Sequence, residues 1–150
     1  MKILVDADSC PKEARELVLR SAKKRGIKTI FAANRLIPGI EKDNAAQTME
    51  LCPAGENSAD DRIVELACPG DLAVSRDIAL AKRLLEAGAA VIDDRGRTFS
   101  SDNINELLSL RDFTVSLAQN GLGTERISNY GKKELKKFAD SFDRQLAKLL

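Results

Sequence analysis

Short apolar runs alternate along this chain with longer stretches whose apolar residues recur at helical spacing. That alternation constrains the fold more than any other feature. Residues 2–6, rich in Ile, Leu and Val, read as a buried strand. Pro11 suits the first turn of a helix, because its missing N–H would be unpaired there anyway. Ala14, Leu17, Val18 and Ala22 share one face of that helix, and Gly26 is placed to end it. Residues 27–33 read as a second strand, 34–45 as a loop and 47–51 as a short strand. Ser58 is placed to cap a helix carrying Ile63, Leu66 and Ala67. A strand at 71–75, a helix at 77–87 ended by Gly88, and a strand at 89–93 closed by the turn DDRG follow. Residues 103–111 look helical. Strands alternating with helices imply right-handed crossovers and a mostly parallel sheet. The expected fold is α/β, a three-layer sandwich around that sheet.

The 150 residues match one domain, 1–150. Within it, residues 131–149 form an amphipathic helix with Leu135, Phe138, Ala139, Phe142, Leu146 and Leu149 on one stripe. The lysines on its other side read first as a solvated face and second as a nucleic-acid contact. The stretch 120–131 is linker-like. No apolar run approaches the ~20 residues that span a bilayer, and two aspartates interrupt the N-terminal run where a signal peptide would stay apolar. A cytoplasmic protein is expected, with no membrane partner. The net charge of +1 points to no particular partner. Cys10, Cys52 and Cys68 are odd in number and form no CxxC, so they read as small core residues. Cys10 is the exception to watch, since a helix N-terminus lowers a thiol pKa.

The chain has no histidine. That excludes Ser-His-Asp and Cys-His schemes and histidine metal ligands. Chemistry must then rest on carboxylates, hydroxyls, amines, thiols or a bound ion. In open α/β sheets ligands sit beyond the carboxyl ends of the strands. Asp6 ends the first strand and Asp8 follows it; Asp77 follows the 71–75 strand; Asp93 and Asp94 follow the 89–93 strand. Asp60 and Asp61 open a helix, and Asp71 begins a strand at the opposite edge. Carboxylates within ~4–6 Å repel one another unless a cation joins them. Oxygen-only ligands favour Mg²⁺ or Mn²⁺ over zinc, and such an ion suits attack on a phosphorus centre. The plainer readings stand beside this one. Asp61 and Asp94 read as helix caps or dipole partners, and Asp8 could cap the helix at Pro11. For Arg76, Lys82, Arg95 and Arg97, surface ion pairs come first and phosphate contact second.

The opening LVDADSCP, the segment ADDRIVELA, the run GDLAVSRDIALA and the later DDRGRTF resemble the YaiI/YqxD family of bacterial proteins. The motifs follow in the family's order as far as about residue 105, beyond which the outline is helical but the motifs fade. The resemblance implies a PIN-like domain, related to metal-dependent ribonucleases that act on RNA. It implies Asp6, Asp60, Asp77 and Asp93 as the ion's ligands and places Asp8 in the family's own opening motif; a nuclease would then use Asp6, Asp8, Asp60 and Asp77 as the catalytic set, with Ser75, Arg76, Lys82 and Arg95, near the acidic edge, as substrate contacts. Asn57 stands where relatives often carry a further acid. Haloacid-dehalogenase-like phosphatases offer a second pattern. There Asp6 would be the nucleophile and Asp8 the general acid–base, with Ser75, Lys82 and Asp93–Asp94 behind them. A third reading is a non-catalytic domain that binds RNA or protein. The oligomeric state is open, a homodimer included.

Overall fold

The computed structural model describes residues 1–37, 40, 47–53, 58–119, 121 and 129–150. Six strands form one sheet, in the order β3-β2-β1-β4-β5-β6. They are β1 (Ile3–Asp6), β2 (Thr29–Ala33), β3 (Gln47–Leu51), β4 (Leu72–Val74), β5 (Ala90–Ile92) and β6 (Thr98–Phe99). All neighbours pair in parallel except β5 and β6. The five helices are α1 (Lys12–Arg25), α2 (Ser58–Leu66), α3 (Ile78–Glu86), α4 (Ile104–Gln119) and α5 (Lys132–Leu149).

The strand faces divide the core in two. Ile3, Val5, Phe31, Leu72 and Val74 point toward α1 and α5, where they meet Ala14, Val18, Phe138, Phe142 and Leu146. Leu4, Ile30, Ala32, Ala73 and Val91 point the other way, toward Ile63 of α2, Leu80 and Leu84 of α3 and Ile104 of α4. Residues one apart on a strand face opposite sides, so an apolar run without alternation demands helices on both faces. That gives the expected three-layer sandwich. Gly26 ends α1 with φ of 67°, a left-handed turn that L side chains adopt at a cost, and its N–H bonds to the Ala22 and Lys23 carbonyls.

The expected 131–149 helix packs on the sheet as α5, its Phe138 and Phe142 rings 5.6 Å apart. Two elements differ from expectation. Residues 98–99 form β6, an antiparallel edge strand hairpinned onto β5. The helix expected at 103–111 continues to Gln119 as α4. Ser58 is already helical, and its hydroxyl donates toward the Asn34 Oδ1 and the Pro53 carbonyl rather than accepting from the helix. Most of the linker-like stretch, and Asn57, lie outside the described residues. Among the described residues no helix is long and apolar enough to cross a membrane.

Candidate functional site

The chain reverses its direction of travel across the sheet between β1 and β4: β2 and β3 lie to one side, and β5 and β6 to the other. Adjacent parallel strands whose following segments leave in opposite directions open a crevice at their carboxyl ends. A cavity of ≈ 530 Å³ lies there, lined by Asp6, Asp8, Asp60, Asp77, Arg76 and Arg111 among others.

Each carboxylate arrives on a different element. Asp6 closes β1 and is 7% exposed. Its Oδ2 accepts from Ser75 Oγ at 3.0 Å and from Ser9 Oγ at 3.1 Å. Burial raises its pKa above the ordinary aspartate value, against the lowering by those two hydroxyls, and the nearby Asp8 and Asp77 add to the rise. Asp60 lies in the first turn of α2. Burial, then repulsion from Asp6 and Asp77, pushes its pKa up to about 6. Asp77 is the N-cap of α3, its Oδ1 accepting from Ala79 N at 3.0 Å and Leu80 N at 3.2 Å. Capping uses one oxygen of Asp77, so the cap and ligand readings are compatible.

Ser75 joins the two strand ends. Buried at 3% exposure, its hydroxyl donates to Asp6 and accepts from the Asp77 N–H at 3.0 Å. It thus lies under the cavity as a positioning group rather than within it. Asp8 stands at the rim. Its Oδ2 accepts from Asn34 N at 2.9 Å, and Arg35 Nε is 3.8 Å from Oδ1. The reading of Asp8 as a cap for α1 therefore fails; Pro11 occupies that N-cap and no side chain caps it.

The structure does not bring Asp93 to this group. Asp93 Oδ1 accepts from Arg95 N at 2.9 Å and Arg97 N at 2.8 Å, which closes the β5–β6 turn. Its Oδ1 is committed to that turn, its Oδ2 lies 3.9 Å from Arg97 Nε, and the residue lines a separate cavity together with Arg95. Asp94 is ion-paired with Arg76. Lys82 lies on α3, ~1.4 turns beyond Asp77, and is not among the residues that line the acidic cavity. Asp61 pairs with Arg83 at 2.9 Å on the surface. Asp71 is at the opposite sheet edge, as expected, where it binds Lys2 Nζ at 2.6 Å and Cys68 N at 2.8 Å. Cys10 is buried, and that burial pushes its thiol pKa up to about 12, the reverse of activation.

Three polar lining residues have no counterpart among the site residues expected from sequence: Ser9, Asn34 and Arg111. Asn34 directly follows β2, so the carboxyl-end rule applied to every strand selects it. Arg111 carried no such signal, because its helix is elsewhere so exposed.

A hard divalent cation suits this donor set. It consists of carboxylates with hydroxyls behind them, and the burial and then the repulsion that raise the Asp60 pKa are both offset by a cation. Among the described residues no three acidic side chains are already drawn into a coordinating arrangement, so the side chains would close on an ion rather than receive it preformed.

The family model described as "Uncharacterized BCR, YaiI/YqxD family" matches residues 4–148, so the chain belongs to that family. The match extends well past residue 105, where the motifs faded from view. A "UPF0178 protein" of Treponema denticola is 45% identical over 150 residues, covering all of this chain and 94% of the relative. One from Treponema pallidum is 43% identical, covering 84% of its length, and one from Vibrio atlanticus is 37% identical over 99% of both chains. No solved structure matches the chain.

Proposed function

We propose that this protein is a metal-dependent phosphodiesterase, a ribonuclease of PIN-like type, acting at the cavity between β1 and β4. One observation carries the reading. Asp6, Asp60 and Asp77 converge from three elements on one cavity, and among the described residues none of them is ion-paired. Carboxylates gathered without a cationic partner repel one another and are useful for holding Mg²⁺ or Mn²⁺. Bound by these three, the ion would activate water and offset charge developing on the phosphoryl group.

The chain's own residues supply the rest. Ser75 fixes Asp6 and the start of α3 relative to one another, so two ligands keep their spacing. Arg76 and Arg111 line the cavity and offer guanidinium groups to phosphate oxygens. Asp8, held at the rim by the Asn34 N–H, is the carboxylate placed to accept a proton. A phosphoaspartate scheme at Asp6 receives less support, since Lys82 does not line the cavity and the Asp93–Asp94 pair is engaged elsewhere.

The test is cleavage of a fluorophore-labelled oligoribonucleotide with Mn²⁺ or Mg²⁺. Wild type should cleave, EDTA should stop it, and Asp6→Asn should abolish it while circular dichroism is unchanged. Unimpaired cleavage by Asp6→Asn would remove the carboxylate cluster from the reaction.

A further inference from the structure

The β5–β6 turn forms a second cavity, ≈ 410 Å³, against α5. Its chemistry is opposite to that of the first. Arg95, Arg97, Lys137 and Arg144 line it beside only two acids, Asp93 and Asp140. Asp93 spends Oδ1 on two backbone N–H groups and lies 3.9 Å from Arg97 Nε. Arg95 stacks 5.9 Å over the Tyr130 ring, with Glu134 at 3.9 Å. Lys137 and Arg144, seven residues apart on one face of α5, form no ion pair among the described residues. The concavity depends on a close approach of backbone to backbone. A Cβ on Gly96 would stand 2.4 Å from the Lys137 carbonyl oxygen, and Gly96 has φ of 87°. The turn is thus seated directly on the helix, and cations of both border one hollow.

We infer that this hollow is a nucleic-acid backbone site, in which Arg97, Lys137 and Arg144 hold a phosphate of the strand whose scissile bond lies in the acidic cavity. The two cavities are joined by one turn. Asp94 pairs with Arg76, which lines the acidic cavity, while its neighbour Asp93 lines the basic one. Both border the carboxyl edge of the sheet, since Asp77 follows β4 and Asp93 follows β5, and those strands run parallel. An excess of positive charge beside an acidic centre is what a polyanion needs to be retained next to carboxylates that repel it. Cations spread over a turn and a helix fit an extended chain better than a single small anion. The choice of nucleic acid among polyanions rests on the nuclease reading.

The experiment is fluorescence anisotropy of a labelled oligoribonucleotide in EDTA, across a range of salt, with wild type and a Lys137→Gln/Arg144→Gln double variant. Wild type should bind. The double variant should bind roughly tenfold more weakly, and its log–log salt slope should be shallower by about 1.4, since each phosphate contact on a single strand contributes ~0.7. Arg144→Gln alone, at an exposed position, should give about half that change and serves if the double variant fails to fold. Equal binding by both variants and wild type, or no binding by wild type, overturns the inference. So does full displacement by inorganic phosphate at matched ionic strength, which would mark a small-anion site. Because EDTA arrests cleavage, the two readings fail separately. Cleavage by wild type with Lys137 and Arg144 dispensable for binding sinks this site alone. Binding that needs them, without any cleavage in Mn²⁺, sinks the nuclease assignment alone.

Discussion

Two groups of aspartates occupy the same edge of the same sheet and live in different electrostatic surroundings. At the ends of β1 and β4, Asp6, Asp60 and Asp77 face one another, and burial with mutual repulsion raises the pKa of Asp6 and Asp60. At the end of β5, Asp93 accepts two backbone N–H groups and Asp94 takes Arg76. Burial raises the Asp93 pKa too, but those N–H bonds and Arg97 pull against it. The second pair completes a turn with protein partners, Arg97 and Arg76 among them; among the described residues none of the first group is ion-paired. Place along the chain therefore does not distinguish the two groups, and neither does accepting backbone N–H groups, which Asp77 does as well as Asp93; ion pairing does.

The largest effect that could break this contrast is on cleavage. Asp77→Asn should lower the rate of oligoribonucleotide hydrolysis by about a thousandfold, comparable to losing a principal electrostatic group. Its thermal stability should hardly change, because Asn caps a helix as well as Asp does. A fall in both would mean that Asp77 matters for α3 and not for chemistry. Asp93→Ala should behave in the opposite way. Two part-buried N–H groups lose a charged acceptor, which costs about 1–3 kcal/mol in urea unfolding, while Mn²⁺ titration of the folded protein is unaffected.

Stability against pH sharpens the contrast further. The Asp60 pKa in the folded protein is about 6, against an ordinary 3.8. Between those values the native state holds a proton that the unfolded chain has released. The contribution of this group to stability is thus complete below pH ~4 and is lost as pH rises to about 6. Metal-free wild type should melt at a lower temperature at pH 7.5 than this group would allow at pH 5. Asp60→Asn should flatten that decline, and Mn²⁺ should raise the wild-type melting temperature more at pH 7.5 than at pH 5. Smallest of all, Arg111→Ala should raise KM a few-fold with kcat and stability retained, since one exposed arginine contact to phosphate is a modest, salt-screened interaction.

Most of the fold was legible because the central strands β1, β2, β4 and β5 are almost wholly buried and announce themselves as apolar runs. The helices α1, α3 and α5 were equally visible, since their buried residues repeat at helical spacing. What escaped lacked that signal. Strand β6 is two residues long, too short to show a period. The second half of α4 presents Leu110, Phe113 and Val115 to solvent, so its apolar residues trace no inward stripe and its length could not be read. Arg111 was lost with it. At the site, Asp6, Asp8, Asp60 and Asp77 were found by combining the carboxyl-edge rule with the family resemblance, and they share one cavity. Asp93 met the same rule and does not join them. The DDRG turn that follows β5 held the warning, for an aspartate opening a tight turn is usually occupied by the turn's own N–H groups.

The central claim is that the first aspartate group, and not the second, holds a divalent ion. Electron paramagnetic resonance of Mn²⁺ added to metal-free protein tests it directly, because bound Mn²⁺ loses its sharp solution signal. The account predicts saturable binding in wild type and in Asp93→Ala, with binding abolished in Asp77→Asn. An unbound Mn²⁺ spectrum in wild type, or binding that survives Asp77→Asn and disappears with Asp93→Ala, would contradict it.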